Sequence, residues 1–185
     1  MAAVTTVKQI NLKNGQRAER KLLVTVAEWN EPTLDGTTEG TEQVRELLGT
    51  RVEDSPINYN PDIQESTDIL GNNYTDVNKT QPTQEFSPNT VLGGSRLTAY
   101  LNDIRRRNAL SELQGFTIYV ITAFVGDETN GYECEKHEDC SITYDSIGGS
   151  ANVDFPFTVH FSNKITTGTV DKIASDFTFT ADATV

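Results

Sequence analysis

The sequence predicts a mainly β fold of the α+β class, in which one α-helix flanks a β-sandwich or barrel and long loops join the strands. Many short runs are rich in β-branched and aromatic residues, polar connections rich in Gly, Pro and Asn separate them, and one stretch has apolar residues at helical spacing. The chain has 185 residues, a length that fits one domain. We therefore expect residues 1–185 to form a single domain, with residues 1–20 as an N-terminal arm or a weak first strand.

The first half of the chain predicts several strands and one hairpin. Residues 21–27 are apolar on both alternating sides, which indicates a strand that is covered on both faces. Residues 42–48 leave a short helix and a strand equally open, whereas residues 57–60 predict a short strand. Residues 65–77 predict a hairpin, because the Gly and Asn residues at their centre tolerate the positive φ angles of a tight turn.

One helix is predicted at about residues 95–113. Gly93 and Gly94 interrupt the preceding segment, and the hydroxyl of Ser95 suits an N-cap because it can accept a hydrogen bond from a free backbone N–H. The predicted helix presents one apolar stripe, formed by Leu97, Tyr100, Leu101 and Ile104. We expect the helix to end by Leu113, before Gly115.

The second half of the chain predicts the centre of the sheet. Residues 116–125 are β-branched, aromatic or small almost throughout, which indicates a central strand with two covered faces. Shorter strands are predicted at residues 132–136, 140–144, 153–161, 166–170 and 177–180. The polar segments 28–41 and 126–140 are predicted to be long loops, mobile in a single subunit.

Composition and charge narrow the classes of function. The mean hydropathy of −0.45 predicts a soluble chain, and neither a secretory signal nor an apolar run of membrane-spanning length is expected. The net charge is −12, and residues 28–68 contribute eleven acidic residues against two basic ones. A strongly acidic chain disfavours proteins that grip nucleic acid through phosphate.

The candidate chemical sites are weak. A spacing that suggests a zinc site is found at Cys134, His137 and Cys140. Structural zinc needs four ligands, so the sequence favours a polar hairpin with two incidental cysteines. The chain has two histidines and no nucleophile-elbow pattern, and no carboxylate pair stands out. Gly93-Gly94-Ser95 lacks the Lys and the Ser/Thr that complete a phosphate-binding loop. We therefore predict no catalytic, cofactor-binding or metal-binding residues and no enzymatic activity.

A charge pattern suggests a contact between subunits instead. The consecutive Arg105, Arg106 and Arg107 span most of a helical turn, and their charges favour a solvated or intersubunit face over a phosphate site. We predict that they meet acidic residues of a neighbouring copy in a head-to-tail contact, the type that closes rings. The acidic residues assigned to this interface are Glu28, Glu31, Asp35 and Glu39.

Several segments together resemble a known family. The main one is residues 67–82, TDILGNNYTDVNKTQP, which is preceded by RVEDS at 51–55 and YNPD at 59–62. Further matching segments are Gly93-Gly94 with residues 97–107, EKH at 135–137, GG at 148–149, NVD at 152–154, NK at 163–164 and GTVDK at 168–172. From about residue 44 onward the chain resembles the major tail (tail tube) proteins of phages and prophages of Gram-positive bacteria, whereas the first forty residues match less specifically.

This resemblance implies a structural virion protein. Its copies would form hexameric rings that stack into a tail tube through which DNA passes without specific binding. The implied partners are other copies of the chain, the tape measure protein and the tail tip and terminator proteins, with assembly in the cytoplasm of the bacterial host. The resemblance leans to long flexible tails and implies no catalytic residues, no cofactor and no membrane.

Four alternatives remain at the level of sequence. The chain could be a tail-accessory or baseplate protein that forms one ring without polymerising. It could be a β-sandwich binding module for carbohydrate, although Trp29 is the sole tryptophan available as an exposed platform. Its charge also suggests a DNA mimic, which would need acids at phosphate-like spacing. An enzyme is the fourth alternative, and the missing catalytic constellation disfavours it.

Overall fold

The structure is a computed structural model that describes residues 10–32 and 41–183, apart from the side chains at 32, 78 and 79. Its strands are β1 (Leu23–Pro32), β2 (Thr41–Leu47), β3 (Ile57–Asn58), β4 (Asp62–Thr67), β5 (Asn73–Lys79), β6 (Thr83–Phe86), β7 (Gln114–Asp127), β8 (Gly131–Tyr144), β9 (Phe157–His160), β10 (Ile165–Val170) and β11 (Phe179–Ala181). The helix is α1 (Arg96–Arg107), with 3-10 turns at Arg20–Leu22 and Leu110–Leu113. The prediction of a mainly β fold with one flanking helix is confirmed for the described residues.

The long antiparallel pair of β7 and β8 forms the centre of the main sheet, whose order is β2-β1-β7-β8-β9-β6-β3. The edge of β8 opposite β7 is shared: its first half pairs with β10, which also carries β11, and its second half pairs with β9. A β-bulge separates the two halves: Phe116 pairs with Cys140 and Ile118 with His137, so β8 has one more residue than β7 between these two pairs. Asp139, within the bulge, takes a φ of 59°. This irregularity changes which side chains face each side of the sheet.

Both faces of the sheet are covered, as the apolar β7 sequence predicts. The larger buried cluster joins one face to α1, with Trp29, Phe116, Ile118, Cys140, Ile142, Phe86, Phe157, Leu97 and Leu101 among its members. The smaller cluster covers the other face and consists of Val26, Tyr119, Ile121, Cys134, Val170 and Phe177. Alternate residues of β1 and β7 therefore enter different clusters, in keeping with the period of two in a strand.

The sheet curls so that β1 and β6, which are not neighbours in it, face each other. The Thr25 hydroxyl donates to Oε1 of Gln84 over 2.9 Å, and both side chains are buried. The Gln84 amide donates in turn to the backbone carbonyl of Ser55 over 3.0 Å. Side-chain hydrogen bonds thus join the two sides of a barrel-like sheet, and they satisfy polar groups that would otherwise be costly to bury.

The side chain of Arg45 links the C-terminal segment to the sheet. The Arg45 guanidinium forms an ion pair with buried Glu28 and donates to the backbone carbonyl of Phe177 over 2.8 Å. It also lies over the rings of Phe177 and Tyr119, with its central carbon 4.7 and 5.3 Å from the two ring centroids. Burial, followed by the Glu28 charge, raises the pKa of Tyr119 to about 12. Arg45 therefore joins three elements that are distant in sequence.

Two predictions about the helix and the second strand are settled by the structure. The α-helix ends at Arg107, before the predicted limit at Leu113, because Asn108 takes the left-handed conformation (φ 56°) that ends many helices. Residues 110–113 then form a separate 3-10 turn. Residues 42–47 of the ambiguous segment at 42–48 belong to β2, because pairing with β1 outweighs their helical propensity.

The predicted loops need a larger correction. Of the loop predicted at 126–140, only residues 128–130 form a turn between β7 and β8. The strand predicted at 132–136 is confirmed as part of β8, whose polar residues are held in a strand by pairing on both edges. Residues 28–32 likewise belong to β1, so the predicted loop at 28–41 is wrong there. Residues 33–40 of that loop, and residues 1–9 of the predicted N-terminal arm, lie outside the described residues.

We predict that Arg45→Ala lowers the free energy of unfolding by about 3 kcal/mol, because it leaves the buried Glu28 carboxylate without its cation. Urea unfolding followed by circular dichroism measures this loss. Glu28→Gln combined with Arg45→Met serves as the control and loses much less, since no buried charge remains. A loss below about 1 kcal/mol for Arg45→Ala would show that Glu28 is solvated, contrary to this account.

Candidate functional site

A β-hairpin projects from the domain without support from it. Within the described residues, β4 and β5 pair only with each other, and nearly every described side chain on them is exposed. Ile63 and Val77 oppose each other near the base of the hairpin and are 55% and 64% exposed. A two-stranded hairpin of this kind is marginally stable in water by itself. The exposed aliphatic residues therefore indicate a surface that a partner covers.

The tip of this hairpin presents two aliphatic side chains on a tightly bonded turn. Ile69 and Leu70 are 102% and 81% exposed. Asp68 holds the turn, because its carboxylate accepts from the backbone N–H of Leu70 at 2.8 Å and that of Asn72 at 2.9 Å, and from the Asn72 amide at 2.9 Å. Gly71 takes a φ of 84° to close the turn. The tip is thus ordered before any partner binds.

A second apolar surface lies beside α1. It is a groove of about 320 Å3 with the exposed side chains of Val91, Ile147 and Val153 on its walls. Backbone hydrogen bonds between residues 89–91 and 153–155 fix these walls, including Val91 N–H to the Val153 carbonyl over 2.9 Å. The groove is therefore a formed feature of the domain and is open to solvent.

The helical wall of the groove leads to the basic cluster. Ser95, Thr98, Ala99 and Asn102 line it, at the spacing of one helix face. Arg105 and Arg106 continue this face by one turn, and the Arg105 guanidinium donates to Oδ1 of Asn102 over 2.9 Å. An apolar groove with a cationic end is the result.

The predicted acidic interface residues are mostly engaged within the chain. Glu28 is buried against Arg45, so it is not available on the surface. Glu31 pairs with Arg96 over 2.7 Å and accepts from the Trp29 indole over 2.9 Å. Asp35 and Glu39 lie outside the described residues. The structure therefore places Glu28 and Glu31 in intrachain contacts, and a role for them between subunits stays a prediction.

The three predicted arginines differ in their environment. Arg107 is engaged within the chain by Asp103 and Glu112, each at 2.7 Å. Arg105 contacts Asn102, whereas Arg106 is exposed and forms no ion pair with another described residue. Arg105 and Arg106 therefore remain able to meet a partner, whereas Arg107 stabilises the end of the helix.

The Cys–His cluster does not form one site. Cys134 belongs to the smaller core cluster and Cys140 to the larger one, so the two thiols lie on opposite faces of the sheet. Burial raises the pKa of Cys134 to about 12 and also raises that of Cys140. His137 is buried against Phe161 and lies 3.4 Å from the Glu135 carboxylate. No group of three metal-ligating side chains is found in the described part of the chain.

The N-terminus of α1 is already occupied by a side chain of the same chain. Ser95 caps the helix as predicted, accepting from the Thr98 N–H over 3.3 Å. The Glu46 carboxylate of β2 accepts from the Leu97 N–H over 2.8 Å and from the Ser95 hydroxyl over 2.7 Å. A carboxylate thus fills the position that a bound anion would take, which agrees with a turn and cap.

The carbohydrate-binding alternative meets a structural obstacle. Trp29 is 4% exposed and packs near Tyr100 and Phe116, so it provides no platform for a carbohydrate ring. In the described ranges, no helix has the length and apolarity needed to cross a membrane.

Sequence reasoning missed the groove and the significance of the tip. Ile69 and Leu70 stand in a turn where polar residues are usual, and this was a readable signal. The groove could not be recognised from sequence, because loops that are far apart along the chain bring together Val91, Ile147 and Val153.

Comparison with known proteins adds one distant likeness. No protein-family model and no curated protein matches the chain. Among solved structures, the chain is similar to a chain in the cryo-EM structure of the anti-feeding prophage baseplate, 6-fold symmetrised, with a TM-score of 0.43, 9% identity, and coverage of 81% of this chain and 94% of that chain. A likeness at this level does not assign a family.

We predict that order at the hairpin tip is lost in acid. Hydrogen bonds from Asn72 and Leu70 hold the pKa of Asp68 below the value of about 3.9 for a free aspartate. Because the folded-state pKa is depressed, this stabilisation is present above the free value and is lost as pH falls through the depressed pKa. NMR of the Leu70 and Asn72 amide signals should follow this loss.

Asp68→Ala, which removes the accepting oxygens, should produce the same change at pH 7, whereas Glu65→Gln on the same hairpin should leave both amide signals in place. Unchanged signals in Asp68→Ala would mean that Asp68 does not hold the turn.

Proposed function

We propose that the protein is a structural subunit of a phage tail, and that its copies assemble into stacked hexameric rings that form the tail tube. The observation that carries this proposal is the projecting hairpin, whose aliphatic residues are exposed in a single chain. These residues lie within residues 62–79, and the segment with the strongest resemblance to tail tube proteins, residues 67–82, begins in the same hairpin. A surface that is incomplete in one copy favours self-assembly over catalysis.

The charge of the chain supports a conduit for DNA. The net charge is −12, so a tube lined by this surface would repel phosphate and let DNA slide without specific binding. Its partners would be further copies of itself and other tail proteins, including the tape measure, tail tip and terminator proteins. We infer no enzymatic role, and assembly would take place in the cytoplasm of the bacterial host before the protein becomes part of the virion.

Negative-stain electron microscopy of the purified protein over a concentration series, with light scattering for mass, tests this proposal. We expect rings or tubes with six-fold end views, at a concentration that tail-tip complexes lower by acting as initiators. Single rings that never stack would favour the tail-accessory or baseplate alternative. A monomer that forms neither rings nor tubes, even with tail-tip complexes, would contradict self-assembly.

A further inference from the structure

We propose that the apolar hairpin tip, Ile69 and Leu70, inserts into the groove beside α1 of a second copy of this chain. This inference goes beyond the proposed function, because it identifies both halves of one specific intersubunit contact. Both surfaces are open in the single chain. Ile69 and Leu70 of the tip are almost fully exposed, and the groove walls expose Val91, Ile147 and Val153. An apolar projection and an apolar recess on one molecule form a head-to-tail contact when two copies meet.

The shapes of the two surfaces suit this contact. The tip carries two branched aliphatic side chains, and the groove of about 320 Å3 has Val91, Ile147 and Val153 on its walls. Asp68 bonds the turn at the tip, and backbone hydrogen bonds fix the groove walls. The local shapes of the turn and the groove therefore form within one chain, whereas the stem of the hairpin gains stability when a partner covers it.

The charges around the two surfaces are complementary. Residues 62–79 carry four acidic residues and one lysine, and Glu65 and Asp76 lie on the hairpin stem behind the tip. The helical wall of the groove continues into Arg105 and Arg106. Opposite charges beside an apolar contact select the orientation in which the hairpin enters.

The spacings of these features also agree. Glu65 precedes Ile69 by four residues, a distance of at most about 13 Å because β4 ends at Thr67. Arg106 lies seven helical residues beyond Ala99 of the groove, a distance of about 10 Å. Arginine side chains span the remaining difference, so the tip can fill the groove while Glu65 reaches the arginines. Asp76 lies at the adjacent pair of the ladder, on the opposite face of the hairpin. This contact would use Arg105 and Arg106 in the intersubunit role predicted from sequence, with different acidic partners.

A complementation experiment tests this contact. The tip variant combines Ile69→Ser and Leu70→Ser, and the groove variant is Ala99→Glu, which puts a negative charge on the exposed helical wall. All three positions are exposed, so circular dichroism and the urea midpoint should match those of the unaltered protein. Leu110→Ser and Leu110→Glu are matched controls at an exposed leucine that lies outside both surfaces.

Analytical ultracentrifugation gives the readout. Each variant alone should lose this contact, with its dissociation constant raised at least about tenfold. An equal mixture should double the mass of the unit that each variant forms alone and stop there, because one intact tip and one intact groove remain between the two variants. The Leu110 controls should associate as the unaltered protein does. High salt should weaken the contact, since part of it is ionic.

Other results would overturn this contact or separate it from the proposed tail tube. If the groove variant associates normally while the tip variant does not, the tip binds elsewhere and the proposal is overturned, as it is if the unaltered protein stays monomeric. Mass doubling without rings or tubes in the microscope would support this contact and contradict the tail tube. Normal tubes from both variants would support the tail tube and contradict this contact.

Discussion

The antiparallel pairing of β7 with β8 positions the other elements of the sheet. One edge of β7 carries β1 and β2, and the far edge of β8 carries β10 and β9 on its two halves. Because apolar residues of β7 point to both faces, one core forms with α1 and the other with the C-terminal segment. The groove lies beside α1, on the face of the sheet that carries the larger core. The hairpin of β4 and β5 stands outside this sheet.

The molecule combines a sheet that is covered on both faces with a hairpin that is largely exposed. The sheet satisfies its buried polar side chains, for example Thr25 with Gln84, and places its cysteines where burial suppresses their ionisation. The hairpin has an ordered turn, but among the described residues its two strands pair only with each other and its aliphatic side chains are largely exposed. A chain that orders an apolar tip without burying it is suited to binding another molecule, and the apolar groove beside α1 of a second copy is the surface that we propose for it.

Sequence predicted the parts of this structure that depend on local pattern. Residues 116–125 and the Ser95 cap were found because an apolar run and a hydroxyl before a helix act locally. Parts of β8 were predicted as the short strands 132–136 and 140–144, but its continuity was missed and residues 126–140 were also assigned to a loop, because pairing on both edges and not propensity holds its polar residues. The hairpin was predicted from its turn residues, but the groove depends on loops that meet only in the folded chain. The burial of Glu28 could not be predicted from sequence, because its ion-pair partner Arg45 lies on the neighbouring strand.

Hydrogen exchange of the hairpin amides as a function of protein concentration tests the central claim most directly, namely that a second copy covers this hairpin. In a dilute monomer we expect residues 73–79 to exchange quickly, because a lone hairpin opens often, while the amides of β7 stay protected. At concentrations where copies associate, exchange of residues 73–79 should slow at least about tenfold, with β7 unchanged. Hairpin amides that exchange at the same rate at every concentration, while the protein associates, would contradict the account.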